Sequence, residues 1–323
     1  MADEALHVWL RGDLAPSTER RYALLWARFA TWCQGQGICA LPAHALDIAR
    51  FLHHLSVESG PHVARGAFAA LCRAHVQAGL PSPENMPLVA AARRALSDQL
   101  RGHVAHGRRP LMLDELRLLG QHLTTVAKQP ERRFVATRTR ALIVVGWWAA
   151  LRRSELVAIR DEDSDVHWEG IILTVRTAKR GEAGTVGMPC CCPDAEDVCP
   201  VAALKCWLEL RDRYKDRFQV TGILFQKLDG EPLAPASVNT ALRNAARGAG
   251  LDFWQDYGAH SLRSGFATEA ARGGKSLVSI MQHGRWGSTA GVAPYIRRGT
   301  ALGSDNPAHG LTTTPRGRLS GPI

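Results

Sequence analysis

For its first hundred residues the chain places apolar side chains at helical spacing and shows no strand-like alternation. Tyr22, Leu25, Trp26, Phe29, Trp32 and Cys33 form one stripe. It follows Pro16-Ser17-Thr18, a start that can cap a helix, and Gly35 and Gly37 end it. The same pattern predicts helices over about Ala45–Val57, His62–Ala78 and Pro87–Leu100, with Ser59-Gly60-Pro61 and Gly79 as stops. Residues 101–110, Arg-Gly-His-Val-Ala-His-Gly-Arg-Arg-Pro, break the pattern and are basic, which reads as a linker. A further helix is expected near Asp114–Leu123. The apolar run Ala141–Leu151 is too short to span a bilayer and is flanked by arginines, so it reads as a buried helix. One stretch reads differently. Val166–Val175 has the look of strand, turn, strand; Gly181–Gly184 is a second turn, and a short strand ends at Met188-Pro189. The rest reads as helical, and a tail from Gly303, rich in Gly, Pro and Thr, reads as mobile. The expected class is mainly α: a helical domain of four to five helices over 1–107, a mixed α/β domain with a small antiparallel sheet over 108–302, and a tail over 303–323.

The charge is positive and uneven. The chain of 323 residues carries 40 Lys+Arg against 30 Asp+Glu, a net +10. Residues 1–107 hold ten of these cations, all arginine, and eight acids, so most of the excess lies beyond residue 107. A net charge of this sign favours a polyanionic partner, because cations that meet phosphates release condensed counterions. The N-terminus Met-Ala-Asp-Glu lacks a basic stretch followed by an apolar one, so no secretory signal is expected and the eight cysteines are expected as reduced thiols in a cytoplasmic setting. Cys190, Cys191, Cys192, Cys199 and Cys206 cluster, but without a CxxC pair followed by a second pair. No structural metal or other cofactor is expected.

Chemistry-bearing residues concentrate in the second half. Arg152 and Glu155, three apart, follow Trp147-Trp148-Ala149-Ala150-Leu151, so on a helical turn they share a face at the end of an apolar helix. A surface ion pair would have the same spacing. His260 and Arg263 stand three apart in His-Ser-Leu-Arg-Ser-Gly, then come Gly284-Arg285-Trp286 and Pro294-Tyr295-Ile296-Arg297. Two guanidiniums can grip a tetrahedral phosphate through paired N–H donors, and a phenol can attack it if its proton is removed.

Taken in order, Arg152, Glu155, His260, Arg263, Trp286 and Tyr295 resemble the tyrosine recombinase (phage integrase) family, and most closely its Cre-type branch, which carries a tryptophan at the position of Trp286 where most relatives carry a histidine. The similarity spans about residues 17–298, strongest at these motifs. It implies a C-shaped clamp of an N-terminal core-binding domain and a catalytic domain around duplex DNA. It makes Tyr295 the nucleophile, Arg152 and Arg263 the phosphate clamp, Glu155 the residue that orients Arg152, and His260 a proton-transfer or hydrogen-bonding partner. Trp286 becomes an indole donor to a nonbridging oxygen, with nearby His283 as its competitor for the motif position. Lys179, in Arg176-Thr-Ala-Lys-Arg180, becomes the acid that protonates the departing 5′ oxygen, with Arg180 its neighbour. DNA contacts are implied for Asn239, Arg243 and Arg247 on one stripe of a helix over about Ala236–Gly248, and for Arg65, Arg73, Arg108 and Arg109. The implied partners are a double-stranded recombination site and, on it, a homotetramer formed from a monomer or weak oligomer. The implied setting is prokaryotic, phage- or plasmid-borne, and away from membranes. A type IB topoisomerase or telomere resolvase would share the cleavage chemistry, and a catalytically inactive DNA-binding protein would share the fold.

Overall fold

In the computed structural model, residues 16–102, 108–176, 183–191, 193–215 and 221–301 are described, with Leu14, Gly303 and Asn306 as isolated positions. The chain divides into two compact units, Met1–His106 and Gly107–Ile323.

The first unit holds α1 (Pro16–Gln36), α2 (Ala45–Ser59), α3 (Pro61–Gln77) and α4 (Pro87–Gly102). Helix α3 packs against each of the other three. The core is built from Leu25, Phe29 and Cys33 of α1, Ile48, Phe51, Leu52 and Leu55 of α2, Ala64, Ala67 and Leu71 of α3, and Val89 and Leu96 of α4. Phe29 and Phe51 meet edge to face, with centroids 5.0 Å apart. The expected linker begins later than the sequence pattern indicates. Helix α4 runs through Arg101 and Gly102, helped by an Asp98–Arg101 ion pair at 2.9 Å one turn apart.

The second unit centres on α6 (Arg133–Trp148), a helix buried on most sides. It packs against α5 (Leu113–Val126), α8 (Pro200–Arg213) and α10 (Ala259–Arg272). A short α7 (Arg153–Ala158) leads to an antiparallel sheet in the order β1 (Ser164–Val166), β2 (Gly170–Val175), β3 (Gly184–Pro189). In register, Ser164 faces Leu173, and Ile171 faces Met188. Ile171, Leu173, Val175, Val186 and Met188 point into the core, the period-two pattern of a sheet covered on one face. Helices α9 (Pro235–Gly248), α11 (Leu277–Gly284) and α12 (Thr289–Thr300) complete the unit. The sequence pattern reads as helical over residues 221–234, but the structure has no helix there; the segment takes part in two isolated antiparallel bridges, Arg160 with Ile223 and Gln226 with Pro232. Gly222 and Gly230, both at positive φ, turn the chain there.

The apolar run Ala141–Leu151 is buried, but its helix stops at Trp148. Ala150 takes the left-handed conformation, φ +47°. Its N–H donates to the Trp147 carbonyl at 3.0 Å, and the Leu151 N–H reaches back to the Gly146 carbonyl at 3.0 Å. This is a Schellman turn, with alanine where glycine is usual. Both indoles anchor it: Trp147 Nε1 donates to the Leu111 carbonyl and Trp148 Nε1 to that of Val198, each at 2.8 Å. Helix α10 approaches the same place closely. A Cβ on Gly265 would lie 1.9 Å from the Leu111 oxygen, so this glycine serves packing.

Candidate active site

The turn out of α6 delivers Arg152 as the N-cap of α7. Glu155, three residues on and 3% exposed, folds back onto it. The Arg152 backbone N–H donates to Glu155 Oε2 at 2.9 Å, and Arg152 Nη1 to Oε1 at 2.5 Å. The pair is therefore a built-in contact and not a loose surface pair. Burial works against the Glu155 charge, but the hydrogen bonds from Arg152 and the charges of Arg285 and Arg152 outweigh it and hold the carboxyl below its ordinary range.

Helix α10 carries the second group. Arg263, 3% exposed, donates Nη1 to the Ala150 carbonyl, so the left-handed turn also presents an acceptor. Its Nη2 is buried and has no hydrogen-bond partner among the described residues. Its guanidinium carbon lies 3.9 Å from the centre of the Trp286 ring, a cation–π stack. Burial, and then the charge of Arg152, push the Arg263 pKa down to about 9. Three guanidiniums, Arg152, Arg263 and Arg285, gather around one carboxylate. A site with that excess of buried positive charge is arranged for an anion.

The third group comes from the turn between α11 and α12. It repeats the geometry seen at Ala150: Arg285 is left-handed at φ +56°, its N–H donates to the Gln282 carbonyl, and the Trp286 N–H donates to that of Met281. Trp286 packs so closely that a Cβ on Gly284 would sit 1.8 Å from its ring. From α12, Tyr295 brings its hydroxyl within 2.6 Å of His260 Nε2, and its ring lies 6.2 Å from that of Trp286. His260 is exposed by surface area yet closely flanked by protein. Desolvation, and then the Arg263 charge, lower its pKa, so the imidazole is neutral at pH 7. With its proton on Nδ1, such a ring accepts the tyrosine O–H at Nε2. Burial raises the Tyr295 pKa, and Arg263 pulls against that rise.

The helices that meet here all lie within residues 116–300, which match the family model described as the phage integrase family. Over 295 residues the chain is 30% identical to an integrase/recombinase XerD homolog of Selenomonas ruminantium, covering 90% of this chain and 84% of that protein. The chain belongs to the phage integrase family. It is a tyrosine-type site-specific recombinase. In fold it is similar to the XerH site-specific recombinase bound to a palindromic difH substrate, with a TM-score of 0.60 at 15% identity over 84% of this chain and 72% of that one. It is also similar to a lambda integrase dimer bound to a COC′ core site, with a TM-score of 0.57 at 18% identity over 92% and 94%.

The recombinase fold thus brings Arg152, Glu155, His260, Arg263, Trp286 and Tyr295 into one cluster. Lys179 and Arg180 lie outside the described residues, as does Cys192. His283 is held elsewhere, with Nε2 2.7 Å from the Trp148 carbonyl and its ring stacked on Phe266 at 4.4 Å. Asn239 and Arg243 grip the approach to α10: Asn239 Oδ1 accepts from the Ala259 N–H at 2.8 Å and Arg243 Nε donates to the Tyr257 carbonyl at 3.0 Å. Arg247 is exposed and lies over the Trp254 ring at 5.4 Å. Arg109 pairs with Glu115 at 3.1 Å, and Arg108 donates to the Gln255 carbonyl at 3.2 Å. Arg65 is exposed and Arg73 stands 3.9 Å from Glu19. Cys190 and Cys199 bring their sulfurs to 3.8 Å, but among the described residues no three His, Cys, Asp or Glu side chains could hold a metal ion. No described helix is long and apolar enough to cross a membrane.

Sequence reasoning missed Arg285. Its only signal is a third arginine inside the Gly284-Arg285-Trp286 motif, and its partner Glu155 lies 130 residues away in sequence.

Proposed function

We propose that Tyr295 is the nucleophile of a DNA strand exchange in which Arg152 and Arg263 clamp the scissile phosphate. One observation carries this reading. The Tyr295 hydroxyl sits 2.6 Å from His260 Nε2, beside the guanidinium cluster. Tyr295 Oη attacks phosphorus and passes its proton toward His260 Nε2. The 5′ oxygen leaves and takes a proton from Lys179, which the family pattern assigns to that task. A 3′-phosphotyrosyl bond and a free 5′ hydroxyl result. A 5′ hydroxyl of a partner strand reverses the step. The bond energy is kept in the ester, so ATP is not consumed. Four copies on two sites would exchange strands through a Holliday junction, a reading supported by the fold shared with a lambda integrase tetramer bound to such a junction. Trp286 at its motif position favours the Cre-type branch, and the resemblance to that branch supports a cytoplasmic, prokaryotic or mobile-element setting. Arg247, Arg243, Asn239, Arg65, Arg73, Arg108 and Arg109 are assigned to the DNA interface.

Tyr295→Phe is expected to bind the recombination site and form no denaturation-resistant adduct. An adduct in that variant would place the nucleophile elsewhere. Lys179→Ala is expected to cleave slowly, and to recover when the bridging 5′ oxygen is replaced by sulfur, because a thiolate leaves without a proton. Rescue of Arg180→Ala or His260→Ala instead would move the acid to that residue.

A further inference from the structure

Arg285 is an arginine where a Schellman turn normally holds glycine, in a left-handed conformation that L-residues with a Cβ disfavour. Only three described non-glycine residues have positive φ, and two of them, Ala150 and Arg285, lie at this site. Strain at such positions persists where the surroundings hold it in place. Here the surroundings are specific. Arg285 Nη2 donates to Glu155 Oε2 at 3.1 Å, and the Arg285 carbonyl accepts from Arg152 Nη2 at 3.0 Å. Its Nη1 reaches the His283 carbonyl at 3.1 Å. The guanidinium is buried, with its Nε unpartnered among the described residues.

We propose that Arg285 is a positioning residue for DNA cleavage: it fixes Glu155 and offsets its charge, so that Arg152 meets the phosphate with its own charge uncancelled. Without the Arg285 side chain, Arg152 and Glu155 form a neutral pair. With it, the three groups together keep a charge of +1. The same side chain ties the turn that carries Trp286, and leads to Tyr295, to the turn that carries Arg152. The Arg285 guanidinium is buried and donates to the Ala149 and His283 carbonyls as well as to Glu155. This inference rests on the assignment of Arg152 and Tyr295 given above.

The test uses the full chain and a nicked duplex built on the site that the wild-type protein selects from a randomised library. Arg285→Gly removes the side chain and suits the left-handed backbone. Its DNA affinity is expected within about threefold of wild type, and its rate of covalent-adduct formation to fall by roughly 10- to 100-fold, the usual cost of losing a supporting partner. Arg285→Lys restores a positive charge beside Glu155 and is expected to recover part of the loss. Combining Arg285→Gly with Glu155→Gln separates positioning from simple structural support. If Arg285 offsets the Glu155 charge, removing it costs far less in the Glu155→Gln background, and the two effects do not add. On DNA with a neutral methylphosphonate at the cleavage point, wild type and Arg285→Gly should converge. A loss that persists unchanged in the Glu155→Gln background and on the neutral substrate would overturn the proposal, as would Arg285→Gly cleaving like wild type. No adduct from the wild-type protein on any selected duplex would instead overturn the assignment of Tyr295. If Arg285→Gly does not fold, the comparison of Arg285→Lys with wild type on the two substrates reads the same quantity: equal relative rates on both would overturn the proposal.

Discussion

Two buried arginines in the second unit show what different surroundings do to the same side chain. Arg211 of α8 meets Asp161 through two parallel bonds, at 2.8 and 3.0 Å, and also reaches the Ile223 carbonyl. One cation faces one anion in a planar fork, and the pair joins α8 to the chain after α7. Arg263 of α10 is as deeply buried, but its one described hydrogen bond is to a neutral carbonyl, and its nearest charges are mostly of its own sign. Burial, and then the charge of Arg152, push the Arg263 pKa down to about 9. Burying like charges together is costly unless a counter-charge arrives. The first arrangement is a fastener and the second is suited to meet an anion.

That contrast can be broken experimentally. The largest effect is expected at Arg263. Arg263→Lys keeps a point charge but loses the fork and the planar stack on Trp286, so adduct formation should fall by on the order of 100- to 1000-fold while DNA binding is largely retained. Single-turnover cleavage near the wild-type rate would remove Arg263 from the clamp. At Arg211 the outcome should be reversed. Arg211→Ala should lower stability by roughly 2–4 kcal/mol, less than the full cost of stranding a buried charge because Asp161 is one-third exposed. Adduct formed per folded molecule should not change; chemical denaturation and single-turnover assays on one preparation read both. A cleavage defect without a stability defect would mean that the fastener is part of the site.

A smaller effect is expected from pH. His260 is held below the ordinary histidine range, so its neutral form persists at pH values where a free imidazole is already half protonated. Cleavage should therefore stay level as pH falls through about 6.5, and drop only at lower pH. A midpoint at or above 6.5 would mean that the proton acceptor is another group. Smallest of all should be Trp286→Phe, which keeps an aromatic face over Arg263 and loses the indole N–H. A fall of about 3- to 15-fold, the worth of one hydrogen bond, is expected in the cleavage rate. A loss as large as that of Arg263→Lys would show that the N–H, and not the stack, is the main contribution of Trp286.

Much of this arrangement was legible in the sequence, because the relevant signals are local. The helical stripes of α1 to α4 fell within two residues of their ends, since Gly and Pro mark where the backbone must leave the helix. The spacings of Arg152 with Glu155 and of His260 with Arg263 survive because one helical turn enforces them. What stayed hidden depends on contacts distant in sequence. The end of α6 at Trp148 follows from a left-handed alanine, a conformation that alanine itself does not announce. The ties from Asn239 and Arg243 to the start of α10 looked like a free polar stripe, because their partners are backbone groups 20 and 14 residues on, respectively. Arg285 was hidden in the same way: its bond to Glu155 exists only when two Schellman turns meet.

The central claim is that Tyr295, and no other tyrosine, becomes covalently joined to DNA. Tyr257 is fully buried and donates its hydroxyl to Glu115 at 2.7 Å, which raises its pKa further after burial has done so. Tyr22 packs against the core of the first unit, and Tyr214 lies against Phe134 with centroids 6.5 Å apart. The most direct measurement is to trap the adduct on a nicked duplex, digest the DNA to a short stub, and map the modified peptide by mass spectrometry. The account predicts a nucleotide 3′-phosphate on the tryptic peptide that runs from Trp286 to Arg297, located on Tyr295. A nucleotide on a peptide carrying Tyr22, Tyr214 or Tyr257 would contradict it.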